Sequence, residues 1–362
     1  MEHTFTQARA LCQQVGQTPQ LIPVLFGLWR YYITRPQFRT ARELGEALLR
    51  LAQQTQDPAL AVIAHQALGL MWWCRGALSA ARQHLEEAIT LYSPDQRRTP
   101  VFRAVQDPGV TCRLYTALTL WLLGYPAQAL VRVHEALALA HALSHPYSLA
   151  FARCVATYIY QFRRDVPAVH EQAEATVALA TEQGFPLLAS WGTSFRGWAL
   201  AMQGQGEESV TQVRQGIAVG RATGAALNVP YLCALLAEVS ASLGHTEDGL
   251  QVLAEAHTLI EQHEERYWEA EISRLRGALL LRQPGTPQVE AETCFQRALD
   301  VARRQEAKAL ELRAATSLAL LWQQQGKRDA ARELLAPIYG WFTEGFDTVD
   351  LQEARGLLEA LG

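Results

Sequence analysis

At 362 residues the chain is long enough for two or three compact domains. Its composition, 49% hydrophobic and rich in Ala, Leu, Gln, Glu and Arg with a single asparagine (Asn228), is that of a helical chain and excludes a disordered, collagenous or disulfide-stapled one. Thirty-two cations against 36 anions leave a net charge of −4, which lacks the basic footprint of a nucleic-acid or membrane-surface binder.

Read from the N-terminus, residues 4–15 form the second helix of a pair whose first helix is missing, so residues 1–16 are expected to be an unpaired helix. Eight antiparallel pairs follow, at about 19–54, 58–92, 109–142, 146–183, 186–223, 228–263, 266–305 and 307–342. An insertion at 93–109 carries Pro94, Pro100 and Pro108-Gly109 and reads as a surface loop. Pro126, Pro146, Pro167 and Pro186 fall in first turns, where a missing N–H costs nothing. Asp350-Leu-Gln-Glu353 has capping-box spacing and opens a last helix, so 348–362 is expected to cap the stack. Tyr339, Trp341, Phe342 and Phe346 are expected to pin that helix.

The pairs are defined by an internal repeat. A small residue is followed after seven positions by a turn residue, after five by a second small residue and after seven by a third, as in Gly69, Gly76, Ala81 and Ala88. The turn positions Pro36, Gly76, Gly124, Asp165, Gly204, Gly244, Gly285 and Gly326 are separated by 40, 48, 41, 39, 40, 41 and 41 residues. Small residues let two helices approach, and glycine ends the first helix with φ > 0. One pair cannot bury its own apolar face, so the pairs must stack. The expectation is an all-α, tetratricopeptide-like solenoid of about eight helix pairs with a period near 40 residues, in one domain spanning 1–362. It resembles the tetratricopeptide repeat in its small–turn–small–small order and departs from it in having longer helices.

Several strings carry a second resemblance. Gln106-Asp-Pro-Gly-Val110, Leu120-Trp-Leu-Leu-Gly-Tyr-Pro126, Glu182-Gln-Gly-Phe-Pro186, Arg196-Gly-Trp-Ala-Leu200, Trp268-Glu-Ala-Glu271 and the run from Leu335 to Asp347 are similar to the C-terminal helical repeats of large bacterial multidomain proteins. In those a class III adenylate/guanylate cyclase domain and a signal-transducing P-loop ATPase module precede the repeats, whose architecture is like that of maltose-regulator-type activators. The resemblance implies a sensor or scaffold arm. It brings no nucleotide chemistry, since G-x-x-x-x-G-K-[ST] is absent here.

Constellations for chemistry are sparse. Cys12, Cys74, Cys112, Cys154, Cys233 and Cys294 include no C-x-x-C; they read as reduced packing residues, with Cys74, Cys112 and Cys154 in equivalent repeat slots. His141 and His145 lie four apart, but Pro146 puts His145 in the entry to a helix. Gly204-Gln-Gly206 is a turn, and Glu86/Glu87, Glu207/Glu208 and Glu264/Glu265 fall on solvated faces or turns. No apolar run reaches the roughly 20 residues of a membrane span, and no signal segment opens the chain, so the expected location is the cytoplasm.

The expectation is therefore a non-enzymatic binding scaffold with no cofactor and no metal. Its partner is a protein, a peptide or an attached ATPase or cyclase module; a small-molecule effector or a standalone oligomerisation module are the alternatives. The repeat register lines the inner face with Arg30, Trp73, Trp121, Arg163, Trp191, Trp198, Tyr231, Glu238, Glu271 and Arg274. Aromatics with arginines on a concave face suit recognition, and the same rings also suit filling a long inter-helix core.

Overall fold

The computed structural model describes residues 18–98 and 106–362, and over these it is helical throughout, with seventeen α-helices and no strand. The pairs are α1 (Thr18–Ile33) with α2 (Phe38–Thr55), α3 (Pro58–Cys74) with α4 (Leu78–Leu91), α5 (Pro108–Leu122) with α6 (Pro126–Leu143), and α7 (Pro146–Phe162) with α8 (Val166–Glu182). They continue as α9 (Pro186–Met202) with α10 (Gly206–Ala222), α11 (Val229–Ser242) with α12 (Thr246–His263), α13 (Glu269–Leu280) with α14 (Gln288–Arg304), and α15 (Lys308–Gln324) with α16 (Arg328–Tyr339). A last helix, α17, spans Val349–Leu361, and Pro94–Arg98 is a short 3-10 turn. The helix expected over 1–16, Cys12 and positions 99–105 of the insertion lie outside the described residues.

Local chemistry explains the boundaries. Asp57, Asp107 and Asp165 cap α3, α5 and α8 through side-chain acceptance of backbone N–H groups, each with a proline in the first two positions. His145 caps α7, its Nδ1 within 2.9 Å of Ser148 Oγ. The turn glycines 76, 124, 204, 244, 285 and 326 all have positive φ. In the fourth pair the left-handed residue is Arg164 rather than Asp165, which the turn spends as the cap of α8.

Within pairs, small residues sit where the helices touch. Gly216 on α10 lies so close to α9 that a Cβ there would come within 2.5 Å of the Ser190 carbonyl oxygen. Gly216→Ala is therefore expected to lower stability by about 1–3 kcal/mol, because the obstacle is backbone and cannot rotate away. A urea midpoint unchanged from wild type would show that the two helices part freely.

The superhelix is wound tightly enough for successive turns to touch. The loop before each later pair docks on the turn inside the pair five places earlier. Ala226 and Leu227 donate N–H bonds to the Thr34 carbonyl, and Arg266 donates to the Cys74 carbonyl at 2.8 Å. A Cβ at Gly124 would meet Lys308 and Trp341, and Arg163 Nη2 reaches Asp347 Oδ2 at 2.8 Å. Residues 34 and 226, and 74 and 266, lie 192 apart, whereas 163 and 347 lie 184 apart. The difference of 8 is the excess of the one 48-residue period over 40. The insertion thus lengthens the chain between touching pairs without changing which pairs touch.

Buried apolar side chains form two groups, one from Ile22 to Leu310 and one from Leu280 to Leu361, interleaved along α13–α15. Phe342 belongs to the second, whereas Trp341 is partly exposed and its centroid lies 5.6 Å from that of Tyr125 across the superhelix. Cys74, Cys112, Cys154 and Cys233 are buried and Cys294 partly so. Cys74 ends α3, Cys112 lies in the first turns of α5 and Cys154 is mid-helix in α7, so these three do not occupy equivalent slots. Their similar spacings straddle periods of 48 and 41 residues and drift out of register.

Candidate functional site

Tight winding decides what the inner face becomes. Trp73 stacks on Tyr267 at 3.9 Å between centroids, Phe162 on Trp268 at 4.7 Å, and Tyr231 on Tyr158 at 4.7 Å, forming a buried aromatic column along the superhelix. Of the residues expected to line the inner face, Trp73, Trp121, Trp191 and Tyr231 are buried by the chain's own side chains, and so are Trp198 and Glu271. Arg30 is half-buried and donates to Gln106 Oε1 at 2.9 Å, and Arg163 is taken by Asp347. Trp73, Trp121, Trp191, Tyr231, Arg30 and Arg163 are thus absent from the cleft that the other four border.

The other four come together. Trp198, Glu238, Glu271 and Arg274 line a cleft of about 340 Å³ formed by the ends of α7, α9, α11, α13 and α15. Gln161, Arg164, Arg282 and Arg313 supply its remaining charged and amide groups, and Met202, Leu275, Leu279 and three alanines its apolar wall. A larger, more open cleft of about 580 Å³ lies between Arg82, Tyr125, Lys308 and Trp341. There Arg82 pairs with Glu86, while Arg303 and Lys308 share Glu311, so its cations are already held.

A buried ionic network forms the floor of the first cleft. Glu271 receives Arg274 through two bonds, Nε at 2.9 Å and Nη2 at 2.8 Å, and Arg313 Nη1 at 3.2 Å. Arg313 also donates to Asp350 Oδ2 at 2.6 Å and to the Phe162 carbonyl at 2.8 Å. Arg164 bridges Asp350 at 3.1 Å and Glu353 at 2.6 Å. Burial works to raise the Glu271 carboxyl, but the guanidiniums of Arg274 and Arg313 overcome it and hold it down to about 2.

Glu238 is in the opposite condition. Its Oε2 accepts Trp198 Nε1 at 2.7 Å and Gln161 Nε2 at 3.4 Å, and Gln161 in turn accepts the Tyr231 hydroxyl at 3.0 Å. Burial and the neighbouring Glu271 raise its carboxyl, against the Trp198 bond and the more distant Arg274 and Arg313.

Two sequence expectations change here. Asp350 and Glu353 do not form a capping box: Thr348 precedes α17 without a side-chain cap bond, and the carboxylates are claimed by Arg313 and Arg164. Glu265, expected at a solvated turn, is 1% exposed and accepts the Asn228 N–H at 2.8 Å. Both readings failed because the claiming partner lies far along the chain. Arg164, Arg282 and Arg313 were missed for the same reason, though Arg163-Arg164 at a turn position was a visible cue.

Comparison with known proteins shows what the chain is similar to. No family model matches it. It is 22% identical over 308 residues to an uncharacterized protein of Rhizobium meliloti (strain 1021), covering 84% of this chain and 29% of that one. The chain thus spans under a third of the curated relative it matches. A Rap protein complexed with competence and sporulation factor superposes with a TM-score of 0.60 at 11% identity, covering 94% of this chain and 96% of the other. The apo quorum sensor NprR from B. thuringiensis gives 0.52 at 13% identity, with 91% and 90% covered. The human IFIT1 dimer with m7Gppp-AAAA gives 0.51 at 14% identity, with 98% and 76% covered. The fold is that of tetratricopeptide-like α-solenoids. Among the described residues no helix is long and apolar enough to cross a membrane.

Proposed function

We propose that this chain is a non-enzymatic, peptide- or protein-binding repeat scaffold, the sensing arm of a bacterial signalling protein. It takes its ligand in the cleft between α7, α9, α11, α13 and α15. The observation that carries this is the collapse of the inner face. With the aromatic column buried, Trp198, Glu238, Glu271 and Arg274 are the expected recognition residues that border one cleft, Trp198 and Glu271 from its buried floor. A mostly apolar cavity with a few convergent polar groups is the usual form of a binding site, and this one has the size of a small ligand or a single side chain.

The Rap and quorum-sensor folds support a signalling role, and the Rap structure holds a bound factor. The IFIT1 fold carries a capped oligonucleotide, but a net charge of −4 and a cleft whose guanidiniums are mostly paired with carboxylates favour a peptide here. The sequence strings and the greater length of the Rhizobium relative support placing the repeats in a longer chain with an ATPase or cyclase module. Binding in the cleft would be transmitted through Arg164 and Arg313, which tie it to α17.

Met202 lines the cleft from an exposed position, so Met202→Trp fills it without disturbing the ionic network. Screened against an array of short peptides, the wild-type chain is expected to bind a sequence-restricted subset. Met202→Trp, melting within about 2 °C of wild type, is expected to lose that subset. Binding that survives the filled cleft would place the site elsewhere and sink the proposal.

A further inference from the structure

Every guanidinium of the cleft's network is matched to a carboxylate. Arg313 is held by Glu271 and Asp350, Arg274 by Glu271, and Arg164 by Asp350 and Glu353. Glu238 is the exception among the carboxylates. Its two hydrogen bonds come from neutral donors, both to Oε2, and among the described residues no cation lies within ion-pair distance of it. Arg282 is the complementary exception among the cations. It is exposed at the rim and donates through Nη1 to the Ala241 carbonyl at 3.1 Å, with no carboxylate partner among the described residues.

The two exceptions line the same cleft and both lie against α11. Glu238 and Ala241 are three residues apart on α11, about 4.5 Å along its axis, and Arg282 is bonded to the second of them. The cleft they share has an aliphatic wall made of Ala237, Ala241, Leu275, Leu279 and Met202. The cleft therefore presents an unmatched acid inside, an apolar wall, and an unmatched guanidinium at the mouth.

We propose that the cleft recognises a primary ammonium on an aliphatic stem that ends in a carboxylate, the ammonium at Glu238 and the carboxylate at Arg282. This deepens the peptide-binding reading above and rests on it. A buried carboxylate attracts a cation strongly because little water competes, and an aliphatic stem satisfies the wall between the two charges. The same chemistry belongs to a free ω-amino acid and to a peptide ending in lysine, whose side-chain ammonium and terminal carboxylate are separated by a comparable stem. An α-amino acid with a short side chain carries both charges on one carbon and brings no stem to cover the aliphatic wall.

The binding is proton-linked. Glu238 faces Gln161 and Arg164 from α7 and the turn after it, Trp198 from α9, Glu271 and Arg274 from α13, and Arg313 from α15. Burial and Glu271 favour its protonated form, so an ammonium must displace that proton, and affinity rises with pH until the carboxyl is ionised.

The test is calorimetric titration of the full chain with 6-aminohexanoate, hexylamine, hexanoate and leucine at pH 5 and pH 8. Ala-Ala-Lys and its C-terminal amide serve as the peptide arm. The expected order is 6-aminohexanoate, then hexylamine, with hexanoate and leucine at least about tenfold weaker, a difference of about 1.4 kcal/mol. Binding should tighten from pH 5 to pH 8. Glu238→Gln should cost the amine probes about tenfold or more, Arg282→Ala should weaken 6-aminohexanoate but not hexylamine, and Met202→Trp should abolish both. Ala-Ala-Lys binding more tightly than 6-aminohexanoate identifies the peptide terminus as the source, and the reverse identifies the free amino acid. Hexanoate binding as well as hexylamine, or a folded Glu238→Gln binding like wild type, overturns the ammonium assignment. If Met202→Trp still abolishes binding in that case, the cleft itself stands. No saturable binding by any probe, together with no peptide captured from the array, sinks both readings.

Discussion

Arg313→Ala is expected to remove about 3–5 kcal/mol of unfolding free energy, more than any surface substitution in this chain. The guanidinium is 7% exposed and makes bonds to Glu271, Asp350 and the Phe162 carbonyl. Deleting it leaves two buried carboxylates short of a counter-charge and a carbonyl without its donor, and that desolvation penalty exceeds the value of the pairs themselves. It also removes one tie between the two apolar groups, since Phe162 belongs to the first and Asp350 lies on the last helix of the second.

The measurement is urea denaturation at pH 7, with hydrogen exchange over 349–361 to detect release of α17. Arg313→Lys keeps the charge but cannot span three partners, and should fall between wild type and Arg313→Ala. Asp350→Ala alone should cost less, and the double variant less than the sum of the two single ones. A loss below about 1 kcal/mol for Arg313→Ala would falsify a structural role for the network, because exposed pairs are worth that little.

Glu265 produces the second large effect, as a pH dependence. Its carboxyl is buried at the seam where the loop before α13 meets α3, and its Oε2 has no hydrogen-bond partner. Burial raises it from 4.5 to about 8, against the Asn228 N–H bond that favours the ionised form. The folded state therefore holds a proton that the unfolded chain gives up above pH 4.5. This contribution is fully present below that value and is lost as pH rises through about 8, at up to roughly 1.4 kcal/mol per pH unit within the window.

Glu265→Gln carries a neutral group of nearly the same shape, so its stability should stay level where that of wild type declines. The two proteins should be similar at pH 5, and the variant should be the more stable at pH 9. Parallel stability curves across that range would mean that Glu265 is ionised in the fold.

The repeat makes most of the architecture legible in the sequence. A turn glycine needs φ > 0 and a crossing point needs a small side chain, and both are requirements of single residues that a period near 40 repeats. The one irregular spacing located the insertion for the same reason. Within the cleft, Trp198, Glu238, Glu271 and Arg274 were readable because helical register places them on the inner side.

Other residues were beyond such reasoning. Asp350-Leu-Gln-Glu353 has the spacing of a cap and serves as a latch, and Glu265 follows a turn and is buried. Local pattern reports what a residue offers its neighbours in sequence. Partners of Asp350 and Glu353 lie up to 189 residues away in the chain.

Sequence alone determined the class of fold, the number of helix pairs and the direction each helix presents to the stack, because these follow from backbone conformation and apolar spacing within about 40 residues. Only the tertiary structure decided the pitch of the superhelix. Pitch sums small rotations over five pairs and depends on how every interface packs. That single quantity turned Trp73, Trp121, Trp191 and Tyr231 into core, brought the start of α17 against the turn after α7, and left one cleft where four of the ten expected residues converge.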